Sequence, residues 1–500
     1  MNRREFLTVG AASGAAALVA ASGGPRSCAA ANGQDARCPS AFNGRDARCP
    51  SYSVVVVGGG PAGACAAIAA ARNGADVLVV EQGNSLGGMA TRGLVGPFMT
   101  CSDTTGEQLI VQGLFMEIVE RMVAAGGAIH PRDVRAGTPF TAWITHGHDH
   151  VTPFDPEVLK FTLDDLCREA GVQILYHATF LAPVMEGGRI TGMEVFTKAG
   201  PQRIKAKVVI DATGDGDVAF RAGVPCELGD AGRGGAMQPC TTFFRIAGLP
   251  EEVLEEDYRS HGGGIGNEKD GRGRRLLSWY VEKARAAGKW HIPRPHVNLY
   301  RGVRSDEWFV NCSRLSNVDA TNPQALSDAE TEGRRQVREI LDLLRTYLPG
   351  GEKIRLVSTA STLGVRETRH VAGEYRLDKD DVVNGAVPPD SVFVCSSSID
   401  LHGGKGKSGT LYVRVRKGRW YGVPYRCLVP QKVDGLLVAG RCVSASSVAA
   451  AAIRVMPPAM AMGQAAGTAA ALACADGVAP RSLDAARLVS TLRAQKVFLG

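Results

Sequence analysis

Four consecutive valines, Val54 to Val57, run straight into Gly58-Gly59-Gly60-Pro61-Ala62-Gly63, and a glutamate, Glu81, closes the next apolar run. No other stretch limits the fold as strongly. The valines read as a buried parallel strand, followed by an alanine-rich helix from Ala64 to Arg72 and a second strand from Ala75 to Val80. Each part suits the holding of a dinucleotide. Gly58 permits a tight turn, Gly60 lets the backbone approach a pyrophosphate, and Gly63 lets the helix pack closely on the strand. The helix amino terminus offers free N–H groups and partial positive charge to phosphates. Glu81 can accept hydrogen bonds from ribose hydroxyls, with Gln82 beside it. A glycine-rich turn alone would be only a turn; strand, glycines, helix, strand and acid in this order point to a dinucleotide.

Three further segments lie downstream, and the first unit is extended by Leu86-Gly87-Gly88-Met89-Ala90-Thr91. They are Val208 to Asp217, containing Asp211-Ala212-Thr213-Gly214; Thr362 to His370; and Leu436 to Cys442, containing Gly440-Arg441, closed by Met462 to Gly467. Together these segments, spread from about residue 53 to 475, resemble FAD-dependent oxidoreductases of the glutathione-reductase type. More narrowly, they are similar to the FAD-dependent oxidoreductase family related to the fumarate reductase flavoproteins. An ordinary NAD dehydrogenase has no reason to carry the later segments. The resemblance implies FAD as cofactor, with contacts from Gly58, Gly60, Pro61, Ala62, Gly63, Glu81, Gln82, Gly88, Met89, Ala90, Thr91, Thr213, Gly214, Gly440, Arg441, Met460 and Ala461. No histidine lies between Gly87 and Gly93, so the flavin is expected to be non-covalent.

The amino terminus reads as a separate signal. Asn2-Arg3-Arg4-Glu5-Phe6-Leu7 is a twin-arginine pattern, and the mildly apolar run from Val9 to Ala21 is shorter than the ~20 residues a bilayer-spanning helix needs. Export by the twin-arginine route to a periplasmic or other extracytoplasmic location, with no stable membrane span after signal removal, is expected. That route resembles a path for proteins that leave the cell folded and loaded with cofactor, which agrees with FAD. A near-duplication, Asn32 to Ser40 and Asn43 to Ser51, is polar and aperiodic and reads as a disordered linker. The formal charge of +7 is dispersed over 57 basic and 50 acidic residues, which disfavours a nucleic-acid partner. Thirteen cysteines include no C-x-x-C, which disfavours a redox dithiol; Cys65, Cys167, Cys442 and Cys474 read as small buried side chains.

The expected organisation is a signal region (1–31), the linker (32–52), a first part of the FAD-binding domain (53–238), a substrate domain (239–429), a last part of the FAD-binding domain (430–478) and a tail (479–500). The fold class is α/β: a Rossmann-type domain in three layers on a mostly parallel sheet, with an inserted α+β substrate domain. A helix over Glu157 to Ala170 is followed by strands at Gln173 to Tyr176, Phe180 to Met185, Ile190 to Phe196 and Ile204 to Ile210, with a hairpin turn at Glu186-Gly187-Gly188-Arg189. The small-residue stretch Gly463 to Cys474 suits a helix packed closely on the first strand–helix–strand unit.

Flavin hydride transfer needs a held substrate, stabilised charge at the reduced ring and a handled proton. The helix after Val455-Met456-Pro457-Pro458 serves the second need through its dipole. For the proton and substrate the candidates are Arg366, Arg369 and His370 in one segment and Asp400 and His402 in another. Alternation along a strand puts Asp400 and His402 on one face. Arg366 and Arg369 would share a face if helical and could clamp an anionic or hydroxylated substrate; ion pairs to Glu367 or Glu374 are the equal rival reading. His146-Gly147-His148-Asp149-His150 has the spacing of a metal site on a strand, yet Gly147 and Asp149 favour a loop, and no metal is assigned. The expected activity is hydride transfer between a small alcohol or sugar-like molecule and non-covalent FAD, with an electron acceptor or donor the sequence does not identify. Reduction of an activated C=C bond is the alternative, and an exported flavin-free binding protein is the reading of another class.

Overall fold

The computed structural model describes residues 49–144, 148–261, 275–403 and 410–500. The twin-arginine segment, the linker up to residue 48, and His146 and Gly147 of the histidine run lie outside the described residues.

Strand β1 (Ser51–Val57) sits between two parallel partners, β2 (Val77–Glu81) in the register Val57↔Val80 and β6 (Gly200–Asp211) in the register Val57↔Asp211. All four valines of β1 are buried, which is why this strand lacks apolar–polar alternation. Beyond β2 lies β3 (Gln173–Tyr176), also parallel. The hairpin of β4 (Thr179–Glu186) and β5 (Arg189–Thr197) turns on Gly187 and Gly188, both at positive φ, and β5 pairs antiparallel with the first half of β6. The second half of β6 takes a parallel partner, the strand Leu436–Val438. The carboxyl ends of β1, β2, β6 and Leu436–Val438 therefore share one edge, where ligands of open α/β sheets bind.

Helix α1 (Pro61–Arg72) starts three residues earlier than its alanine run suggests, because Pro61 at the first position supplies helical φ and needs no N–H partner there. It packs against α2 (Leu114–Ala124), α3 (Pro156–Ala170) and, most extensively, the helix Met456–Asp476. The last of these is buried almost all round, so it has no polar face to read. Gly463 and Gly467 face α1 so closely that a Cβ on either would stand 2.0 Å from the carbonyl oxygen of Ala62 or Ala66. Only small residues permit that approach.

Residues 239–429 contribute to two cores. Strands Arg355–Thr359, Phe244–Ala247, Glu307–Asn311 and Asn298–Arg301 form, in that order, an antiparallel sheet covered by the amphipathic helix Pro323–Tyr347. Trp143, Phe244, Trp308, Ile340 and Leu344 fill the core of this cap. By contrast Val371, Leu377, Phe393, Tyr421 and Leu428 pack into the same core as β1 and α1. No helix among the described residues is long and apolar enough to cross a membrane.

Candidate active site

A single cavity of about 1190 Å³ runs from the turn after β1 to the cap sheet. At its dinucleotide end the backbone does most of the shaping. Gly58 takes φ +97° and lies so near Ala212 that a Cβ would stand 2.5 Å from that carbonyl oxygen. A Cβ on Gly63 would fall 1.8 Å from the Gly58 oxygen, whereas one on Gly60 would meet nothing within 4 Å. Gly60 thus faces open space at the start of α1, where its lack of a side chain leaves the helix terminus accessible to an anion. Pro61, Ala62, Gln82, Gly88, Met89, Thr213, Gly214 and Gly440 line the same space.

Glu81 lines it too, but its carboxylate is already held. It accepts from the Gly59 N–H at 2.7 Å and the Gly83 N–H at 2.6 Å, and pairs with Arg92 at 2.9 Å. Arg92, which the sequence reading did not single out, directly follows the Gly88 to Thr91 loop; that adjacency was the available signal. Five other expected contacts lie elsewhere. Thr91 donates to the Leu86 carbonyl at 2.7 Å, and Ala90 is buried beside it, so both shape the loop instead of facing the cavity. Gly63 serves helix–strand packing. Met460 and Ala461 turn into the core, while Val455, Met456 and Ala459 present that helix's amino-terminal turn to the cavity. Arg441 reaches the cavity with its guanidinium engaged by the Gly214 carbonyl (2.9 Å), the Val365 carbonyl (2.6 Å) and Asp215 (2.5 Å).

The residues fit FAD. The glycine turn, the accessible terminus of α1 and Glu81 would hold its adenosine diphosphate half, and the loop from Gly88 and the helix from Met456 would flank its ring system.

At the other end the strand Ile399–His402 places Asp400 and His402 on the cavity wall, as alternation requires, with Asp400 Oδ2 3.4 Å from His402 Nε2. Arg366 and Arg454 complete this wall. Arg366 donates to Thr241 Oγ1 at 2.7 Å and to the Pro239 carbonyl, and Arg454 donates to the Asp400 carbonyl at 3.1 Å. Burial, then Arg366, Arg454, Arg294 and Arg314, hold the His402 imidazole well below its ordinary pKa, so it is uncharged at neutral pH. Burial, Arg454 and Arg294 likewise lower the Arg366 guanidinium.

Arg369 and His370 are not brought to the cavity. The segment is extended, not helical, and enters the strand Arg369–Val371, so residues three apart point in opposite directions. Arg369 pairs with Asp217 at 2.8 Å and lies over the Phe220 ring. His370 is buried with Nε2 3.1 Å from Glu367 Oε1. Burial raises the Glu367 pKa, but hydrogen bonds from His370, Ser447 and the Gln238 N–H outweigh it and hold the carboxyl below its ordinary value. Gln238 then connects this buried cluster to the wall: its Oε1 accepts from the His402 N–H at 3.3 Å and from Arg454 at 3.4 Å.

The cap supplies the facing wall with Ser278, Arg294, His296, Tyr300 and Arg314. Sequence reasoning missed all five. Arg294 and His296 share one loop, while Ser278, Tyr300 and Arg314 stand in other segments without a motif, and only the cap brings them together. His148 lines the cavity as well, and no group of three or more metal-ligating side chains occurs among the described residues.

A family described as FAD dependent oxidoreductase matches residues 53–492. Among curated proteins, the chain is 29% identical over 186 residues to a digeranylgeranylglycerophospholipid reductase of Methanoculleus marisnigri, covering 35% of this chain and 42% of that protein. It is 30% identical over 175 residues to a probable electron transfer flavoprotein-quinone oxidoreductase of Escherichia coli, covering 33% and 36%. The chain thus spans less than half the length of either relative. Neither is named as an alcohol or sugar oxidase. A geranylgeranyl bacteriochlorophyll reductase-like structure from Thermoplasma acidophilum aligns with a TM-score of 0.39 at 13% identity, over 90% of this chain and 85% of that one.

Proposed function

Because the chain belongs to the FAD dependent oxidoreductase family, and is therefore an enzyme that uses FAD, we propose that it exchanges a hydride with a small anionic hydroxy compound, in the direction of oxidation. The observation that carries this reading is His402: a partly buried, uncharged imidazole beside Asp400, set among arginines on the cavity wall. FAD, when bound, supplies the hydride acceptor. Arg366 and Arg454 hold the substrate's anionic group, which favours an acid over the neutral sugar-like molecule expected from sequence. His402 takes the hydroxyl proton as the C–H bond breaks, and Asp400 at 3.4 Å stabilises the imidazolium that results.

Reduction of a C=C bond conjugated to a carboxylate is the second reading, favoured by Arg366. A guanidinium made more acidic by burial and by neighbouring arginines can both bind the carboxylate and donate the proton. The reductase name of one relative agrees with it, and the quinone oxidoreductase name of another supports an electron-transfer partner. Export by the twin-arginine route belongs to the same proposal and rests on the Asn2 to Leu7 pattern and the apolar run from Val9 to Ala21.

Anaerobic mixing separates the two directions. Hydroxycarboxylates that bleach the visible absorbance of the oxidised flavin support oxidation. Unsaturated carboxylates that restore the absorbance of chemically reduced flavin, with no hydroxy acid bleaching it, would replace the first reading by the second.

A further inference from the structure

We propose that the cap wall carries a second oxyanion subsite, formed by Ser278, Arg294 and His296, which takes a carboxylate, sulfate or phosphate group of the substrate other than the one held by Arg366 and Arg454. The proposal rests on the reading of a small anionic substrate and says that this substrate carries two anionic groups.

Three buried side chains on this wall line the cavity and hold polar atoms without any hydrogen-bond partner: Ser278 Oγ, Arg294 Nε, and both ring nitrogens of His296. Ser278 is 5% exposed, and Arg294 and His296 are each 9% exposed. Buried polar groups in folded proteins are nearly always paired, so several orphans on one wall indicate a ligand that pairs them. What they share is donor character. Arg294 Nε–H, the Ser278 hydroxyl and one ring N–H of His296 can all donate to a single oxyanion. His296 is uncharged, because burial and then Arg294, Arg275 and Arg314 oppose its protonation. The positive charge of the subsite therefore comes from Arg294 and Arg314, which the arginine geometry suits for carboxylate or phosphate. Glu282 and Asp400, with Glu81, Asp215 and Asp217 at the dinucleotide end, are the carboxylates that line the cavity.

The subsite is held rigidly from behind. The Arg294 carbonyl accepts from Trp290 Nε1 at 3.0 Å and from Arg285 at 3.3 Å, and the Arg294 guanidinium donates to Asn311 Oδ1 at 3.5 Å. The Val297 N–H donates to the Leu276 carbonyl at 3.3 Å, which ties the start of the helix Ser278–Ala286 to the segment bearing His296. The Ser278 N–H is used by the Arg275 carbonyl at 3.0 Å, so side chains and not helix amides make the site. Arg366 and Arg454 line the same cavity from other segments of the chain, so two anionic groups of a substrate would be read by different side chains.

The test is calorimetric titration of the FAD-loaded full chain with inorganic phosphate. The wild type should bind saturably. Arg294→Gln should weaken binding at least ten-fold and Ser278→Ala about three-fold, while Arg366→Gln changes it less than three-fold. Should Arg294→Gln fail to retain FAD, Ser278→Ala decides. Absence of saturable binding overturns the proposal, since water would then serve these groups. Unchanged binding in both cap variants with loss in Arg366→Gln overturns it equally. Flavin bleaching tells a substrate subsite from a site for free anion. Hydroxy acids with a second carboxylate or phosphate should show at least ten-fold lower KM than monocarboxylates, an advantage lost in Arg294→Gln. Phosphate binding without that advantage would overturn the assignment to substrate. Bleaching by monocarboxylates with no phosphate binding would sink the subsite and leave the oxidation reading intact; phosphate binding with no bleaching by any acid would do the reverse.

Discussion

Replacing Gly463 by alanine sets two effects of opposite sign against each other. Alanine is favoured over glycine in a helix interior by about 1 kcal/mol, so on propensity the variant should be more stable. The new Cβ, however, would stand 2.0 Å from the Ala62 carbonyl oxygen and 2.8 Å from its carbon, where real contacts do not fall below 3.0 Å. Both partners are helix backbone and cannot swing aside, so the two helices must part by about 1 Å. Overpacking of this kind costs roughly 1–3 kcal/mol, and a separation of that size also forfeits a quarter to a half of each dispersion contact along the seam. The steric term wins, for a net loss of about 1–2 kcal/mol. Ala62 also lines the cavity at the start of α1, so FAD should bind about ten-fold more weakly. Urea unfolding followed by flavin fluorescence, together with the Kd for FAD, measures both. Gly463→Ala and Gly467→Ala together should cost less than the sum of the two, because the first already parts the helices. A variant with an unchanged or raised midpoint and normal FAD affinity would refute the reasoning.

Acidification should destabilise the protein through two neutral histidines of the cavity wall, His296 and His402. His296 and His402 have folded pKa values depressed below the unfolded value, so the unfolded chain binds more protons as pH falls through about 6.5, and stability is lost on that side. Each contributes a loss of at most about 1.4 kcal/mol between roughly pH 7.5 and 5.5, and His296→Gln should remove its share in urea titrations at the two pH values. Glu81→Ala leaves Arg92 and the Gly59 and Gly83 amides without their acceptor; a loss of roughly 3–5 kcal/mol in stability is expected, with FAD washing out on dialysis. Arg3→Lys combined with Arg4→Lys should trap the protein inside the cell, read by fractionation; undiminished export would remove the twin-arginine proposal.

The strand–turn–helix–strand unit was legible because its function is local. Gly58, Gly60, Gly63 and Glu81 lie within one stretch whose hydrophobic pattern sets strand and helix in order, and the turn chemistry follows from glycine conformations alone. The hairpin at Gly187-Gly188 and the face shared by Asp400 and His402 were legible for the same reason, since strand alternation needs no distant partner. Arg369 and His370 were misplaced where that locality failed. Helical or extended geometry from 366 to 370 is decided by pairing of Arg369–Val371 with Cys226–Leu228, about 140 residues away, and the extended form sends Arg369 to Asp217.

By itself the sequence determined a dinucleotide-binding α/β fold, its FAD-family segments and the small-residue seam between two helices, because backbone approach and apolar period are written into neighbouring residues. Tertiary structure alone decided the chemistry of the substrate end. Ser278, Arg294, His296, Arg366, His402 and Arg454 share no motif, and it takes an antiparallel cap folded over the sheet's carboxyl edge to set their charges against one another in one buried space, where burial and mutual repulsion determine which of them is charged.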